Sequence, residues 1–142
     1  MTRIINSQLK RKKDGWSYVI NNIRGERKRV KKNKSNAEHY LWGDNCDGWH
    51  LVKNQDLSII HERMPAHTSE VRHYHQHARQ FFYVLSGVAT IEVDGKEITL
   101  KPHEGLEVPP LVPHQMFNKS NNEVEFLVTS QPTSKGDRIL VD

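Results

Sequence analysis

After residue 35, apolar residues recur mostly at every second position, and seldom at the spacing of an amphipathic helix. Alternation of this kind places successive side chains on opposite faces of an extended strand. DLSIIHERM at 56–64, RHYH at 72–75, FFYVLSG at 81–87 and VEFLVTS at 124–130 each read as a short strand, and MPAHTSE at 64–70 reads as a loop. ATIEV and KEITL flank Asp94-Gly95. A two-residue Asp-Gly between alternating segments is a hairpin signal, because both turn residues must take positive φ. A turn at HEG, residues 103–105, leads into LEVPPLVPHQMF. No stretch holds a helical period long enough for a packed helix, so the pattern predicts an all-β chain, a barrel or a sandwich rather than a layered α/β fold.

The beginning of the chain follows different rules. Trp16, Tyr18 and Ile20 alternate and suit one short strand, but GERKRVKKNK at 25–34 is a basic run with little to bury. Residues 1–34 carry 12 Lys or Arg against 2 Asp or Glu, whereas the rest carries 9 against 15. The net charge of +4 and the pI of about 9.2 therefore describe the arm and not the body. We expect a basic N-terminal extension over residues 1–40 and one β domain over 41–142. The arm is expected to be solvated or self-associating. Contact with nucleic acid through residues 1–34 is the weaker reading, since no zinc-finger spacing, aromatic platform or helix-turn-helix pattern accompanies the charge.

The mean hydropathy of −0.76 fits a soluble protein, and no apolar run approaches a membrane span. MTRIINSQLKRKK lacks the apolar core of a secretory leader. Cys46 is the single cysteine, which excludes an intrachain disulfide and suits a reducing compartment; a cytoplasmic location is expected.

Nine histidines bring candidate chemistry. His73, His75 and His77 occupy alternate positions, so neighbours in this set can project from one face of a strand. If His73 and His75 point inward, Gln80 is the next inward candidate, and His114 adds a donor from a distant strand. Imidazole suits Zn, Fe, Ni, Mn and Cu, and three of them fix a metal while leaving positions open. Three neutral imidazoles and an amide do not cancel the cation's charge, so such a site favours an anionic ligand.

These residues resemble the cupin family. Its first motif runs glycine, five residues, His-x-His, three or four residues, Glu, six residues, glycine. HTSEVRHYHQHARQFFYVLSG supplies His73 and His75, then Gln80 at the Glu position and Gly87 at the close, with His67 where the motif opens on glycine. The second motif runs glycine, five residues, Pro-x-Gly, two residues, His, three residues, Asn. HEGLEVPPLVPHQMFN gives His103 at the first glycine, Pro109, Leu111 at the second glycine, His114 and Asn118. The resemblance covers roughly residues 50–130.

It implies a double-stranded β-helix (jelly-roll) barrel, commonly a homodimer. A divalent transition metal, Fe, Mn, Zn or Ni, would be held by His73, His75, Gln80 and His114. Gln80 in place of an acid can still coordinate but cannot act as a base, and Leu111 and His67 in place of glycines point to reshaped loops. His77 is the candidate proton carrier. His61 and Arg63 share parity on the strand 56–64 and are expected to line the pocket, Arg63 as a fork for a carboxylate or phosphate. Phe82 is expected as pocket wall and Met116 as inward filler near the metal.

Two functions compete. One is a metal-dependent oxygenase or isomerase acting on a small organic acid or an enolisable substrate. With no second glutamate evidently aimed at the cavity, a carboxylate-base mechanism is disfavoured. The other is a non-catalytic barrel that binds or senses a small ligand, with the basic arm contacting a partner or nucleic acid.

Overall fold

The computed structural model describes residues 6–12, 15–21 and 30–142, and all of its regular elements are strands. None of the described residues forms a helix long and apolar enough to cross a membrane. The chain divides into two compact units, Met1–Lys31 and Lys32–Asp142. In the first, β1 (Asn6–Lys12) and β2 (Gly15–Asn21) form an antiparallel pair in the register Leu9 to Tyr18. The side chains of Trp16, Tyr18 and Ile20 and the basic run over residues 25–29 lie outside the described residues.

The second unit holds twelve strands: β3 (Glu38–Trp42), β4 (Cys46–Lys53), β5 (Ser58–Met64), β6 (Thr68–Ser69), β7 (His73–His75), β8 (Arg79–Ser86), β9 (Ala89–Val93), β10 (Lys96–Leu100), β11 (Gly105–Val108), β12 (His114–Asn118), β13 (Val124–Gln131) and β14 (Arg138–Leu140). They form two six-stranded sheets. One runs β11-β8-β13-β5-β4-β3, the other β10-β9-β12-β7-β14 with β6 on β12. The all-β expectation holds, with hydrogen bonding in two separate ladders that meet through their side chains. β3 straddles the expected boundary at residue 40 and pairs with β4, so the sheet begins before residue 41.

Alternation decides which side chains meet. On β8, Gln80, Phe82 and Val84 are buried; on β13, Val124, Phe126, Val128 and Ser130 are; on β12, His114, Met116 and Asn118. Met64, Val84, Ile91, Met116 and Phe126 join one core between the sheets. Each such side chain contributes about 1.5–3 kcal/mol by leaving water. The β9–β10 hairpin turns on Asp94 (φ 50°) and Gly95 (φ 87°), the two positive angles that an Asp-Gly turn requires. Gly95 N also donates to Glu92 Oε1 at 2.6 Å, which fixes the turn to its own strand.

β1, β3, β4, β6 and β14 are absent from the sequence reading. β14 pairs with β7 in the register Arg138 to His75, and Asp137, the residue just before β14, accepts from the amides of Gln76, His77 and Ala78 at 2.8–3.0 Å. One carboxylate thus satisfies three successive donors and fixes the loop that follows His75.

Candidate metal centre

β7 is only three residues long, and Tyr74 between the two histidines turns the other way, so His73 and His75 share one face. His114 opens β12 and pairs directly with His73. All three are buried, and one nitrogen from each lies within 4.8 Å of the others. Ring centroids are 4.5 Å apart for His73 and His114, 4.9 Å for His73 and His75, and 5.7 Å for His75 and His114.

Backbone carbonyls set the tautomers. His73 Nδ1 donates to Val71 O at 2.8 Å and His114 Nδ1 to Val112 O at 3.0 Å, which leaves a lone pair on each Nε2. His75 has no hydrogen-bond partner on either ring nitrogen, although both are buried. A buried imidazole without a partner is costly unless something absent from the polypeptide completes it. Burial holds all three side chains below the usual histidine range, His73 down to about 3, and each also feels the neighbouring rings or Arg138. Neutral imidazole is the form that binds metal, so the donor set fits a divalent transition ion.

Gln80 reaches the cluster from β8. Its Oε1 lies 3.1 Å from His114 Nε2, while its Nε2 donates to Ser130 Oγ at 3.0 Å. Phe82, two residues on, packs edge-on against His114 at 5.8 Å. A cavity of about 180 Å³ opens beside the cluster, with His73, Gln80, Phe82, Glu62, Glu70 and Arg138 in its wall.

The two glutamates overturn the expectation that no carboxylate faces the cavity. Burial pushes the Glu62 carboxyl up to about 8, with the charge of Glu70 adding to the shift, and Tyr40 Oη donates to Glu62 Oε1 at 3.2 Å. Burial likewise pushes Glu70 up to about 7, against the pull of the Met116 amide, which donates to its Oε1 at 3.0 Å. Arg138 Nη2 donates to Val71 O at 3.3 Å and lies beside the His73 ring.

Other expected residues stand elsewhere. His61 and Arg63 occupy the opposite face of β5 from Ile60 and Glu62. Arg63 donates to Asp47 at 2.6 Å and to Glu123 at 2.8 Å, and His61 meets Glu125 at 3.1 Å. Their shared parity is real, but it is the parity of the outer face. His77 is exposed in the turn after β7, where only its amide is held, by Asp137. Met116 is buried in the core and does not line the cavity. The residues the sequence reading passed over are Tyr40, Glu62, Glu70 and Arg138. Glu62 left a signal, an acid in the otherwise apolar or small series Ser58, Ile60, Met64.

The three motif positions without glycine keep a left-handed backbone: His67 (φ 59°), His103 (φ 68°) and Leu111 (φ 69°). The turns there retain the conformation that a glycine would give, at a steric cost.

A family model described as "Cupin domain" matches residues 60–130, half of the chain. This chain is a cupin. A curated relative, an uncharacterised protein of Methanocaldococcus jannaschii, is 23% identical over 82 residues, which are 58% of this chain and 66% of that protein. The chain thus spans just under two thirds of that relative. Among solved structures, KdgF from Halomonas sp. superposes with a TM-score of 0.68 at 14% identity, covering 75% of this chain and 96% of that one. A sugar phosphate isomerase of the cupin superfamily from Silicibacter pomeroyi gives a TM-score of 0.65 at 21% identity, covering 73% and 76%. At these identities the likeness to this cupin is one of fold.

Proposed function

We propose that this cupin is a metal-dependent isomerase that moves a proton on a small enolisable acid or sugar. The observation that carries the reading is the presence of Glu62 and Glu70 in the wall of the cavity that also contains His73 and Gln80. A divalent ion bound by His73, His75 and His114, with Gln80 as a fourth donor, would supply Lewis-acid stabilisation of a substrate oxyanion.

The remaining work falls to side chains. Arg138 offers a guanidinium at the wall, suited to a carboxylate or other oxyanion. Carboxyls held near 7 and 8 match the range in which a general base and a general acid both function at neutral pH. One glutamate, ionised, takes the proton from carbon; the other, protonated, delivers one to the neighbouring carbon or oxygen. Tyr40 orients Glu62 through its hydroxyl. The solved sugar phosphate isomerase with this fold is consistent with such chemistry. The carboxyl pair favours proton transfer over oxygen chemistry, which asks less of protein bases.

The test is proton exchange. Full-length protein loaded in turn with Fe, Mn, Zn or Ni is incubated in D2O with a panel of 2-oxo acids, aldoses and ketoses, and deuterium at the α-carbon is followed by NMR. Exchange in the wild type that is lost in Glu62→Gln is expected. No exchange with any metal would overturn the proposal.

A further inference from the structure

The cavity at the histidines has a neighbour on the other side of Tyr40. A second cavity of about 550 Å³ shares Tyr40, Ile60 and Ser134 with it, and its volume lies within the range of small-molecule sites. Its outer wall has a different chemistry. Lys53, at the end of β4, and Lys135, from the loop between β13 and β14, bring two ammonium groups to it, with Asn54 and Thr133 as hydrogen-bonding neighbours. The two loops are tied together, since Thr133 N donates to Gln55 O at 3.0 Å.

Neither ammonium is held by a buried partner among the described residues. Lys135 makes no ion pair among the described residues. Lys53 donates to both carboxylate oxygens of Glu38 at 2.9 and 3.0 Å, and the charge of Lys135 also acts on that carboxylate, but the Glu38 side chain is 63% exposed and a surface pair of this kind is weak. In the wall of the second cavity the His50 ring lies tilted by 33° against Tyr40 at 5.0 Å, and its buried Nδ1 has no hydrogen-bond partner.

We propose that this second cavity binds the anionic end of the substrate, a phosphomonoester or a carboxylate on a hydroxylated chain, whose enolisable end reaches the histidine cavity past Tyr40. The placement of the reacting end rests on the function proposed above; the anion site does not. Ammonium groups bind phosphate and carboxylate as point charges without a fixed fork, and the amide and hydroxyl side chains around them suit a polyol.

Calorimetric titration of the zinc-loaded full chain with ribose 5-phosphate, ribonate and ribose tests this. An anionic probe should bind saturably and at least about tenfold more tightly than ribose, and Lys53→Ala/Lys135→Ala should remove that margin while leaving ribose affinity and metal content unchanged. Lys135→Glu, a single exposed charge reversal, should weaken the same probe further than Lys135→Ala does. Preference for ribose 5-phosphate assigns a phosphomonoester, and preference for ribonate a carboxylate. Equal affinity for all three probes, no saturable binding, or indifference to the lysine substitutions overturns the site. Anion binding retained in a protein that exchanges no α-proton overturns the catalytic reading alone.

Discussion

His114 Nε2 and Gln80 Oε1 face each other at 3.1 Å, and both are acceptors when the His114 proton sits on Nδ1 and is donated to Val112 O. Two lone pairs at that distance repel unless a cation lies between them. With the amide turned over, its NH2 would donate to His114 and its oxygen would accept from Ser130, and the pair would be satisfied without metal. The Gln80 amide therefore has one orientation suited to a loaded site and another suited to an empty one.

A carboxylate at this position has no such second state. Gln80→Glu adds a negative charge next to three neutral imidazoles, and we predict metal affinity about tenfold tighter than wild type. Competition against a chromophoric chelator measures it; equal or weaker affinity contradicts the prediction.

Removing an imidazole should have a larger effect. His73→Ala and His114→Ala are each expected to lower metal affinity by at least about a hundredfold. Elemental analysis of protein purified without added metal should find near one equivalent in the wild type and almost none in the variants. Equal metal content in all three would mean that these rings are not the ligands.

Glu62 makes stability depend on pH with a definite sign. Its carboxyl ionises near 8 in the folded protein and near 4.5 when unfolded. The unfolded chain therefore releases this proton first as pH rises. In the metal-free protein the penalty is absent below about 4.5, grows from there to 8, and is complete above 8. Glu70, pushed up to about 7, adds a loss of the same sign. Glu62→Gln should raise the Tm most at pH 9 and least at pH 5, and a difference that does not vary with pH would contradict this.

Gly48 makes room for Tyr40 across the β3–β4 pair. A Cβ at Gly48 would lie 2.2 Å from Tyr40 Cζ, so Gly48→Ala must displace the ring and break its bond to Glu62. The expected cost is roughly 1–3 kcal/mol in urea unfolding, against about 1 kcal/mol for Tyr40→Phe, which removes only the hydroxyl. Wild-type stability in Gly48→Ala would show that the ring moves freely.

The all-β class, the Asp94-Gly95 hairpin and the clustering of His73, His75 and His114 were legible because each depends on local alternation or on a motif spacing. The acids were not. On β5 every residue has a plausible partner on either side, and choosing the face of His61 and Arg63 hid Glu62. Only the acceptors Asp47, Glu123 and Glu125, supplied by residues far away in sequence, settle which face is outward. Arg138 and Asp137 were invisible for a related reason. RIL is too short to announce a strand, and β14 exists because β7 offers it an open edge.

The grip of Asp137 on the amides after His75 also orders events in time. The histidine pair leaves the ribosome some sixty residues before the carboxylate that braces it, and His114 emerges between them. Until residue 137 has been added, the turn that follows His75 lacks its brace. The strand that carries the histidine pair is therefore fixed late, by a carboxylate that follows all three rings in the chain.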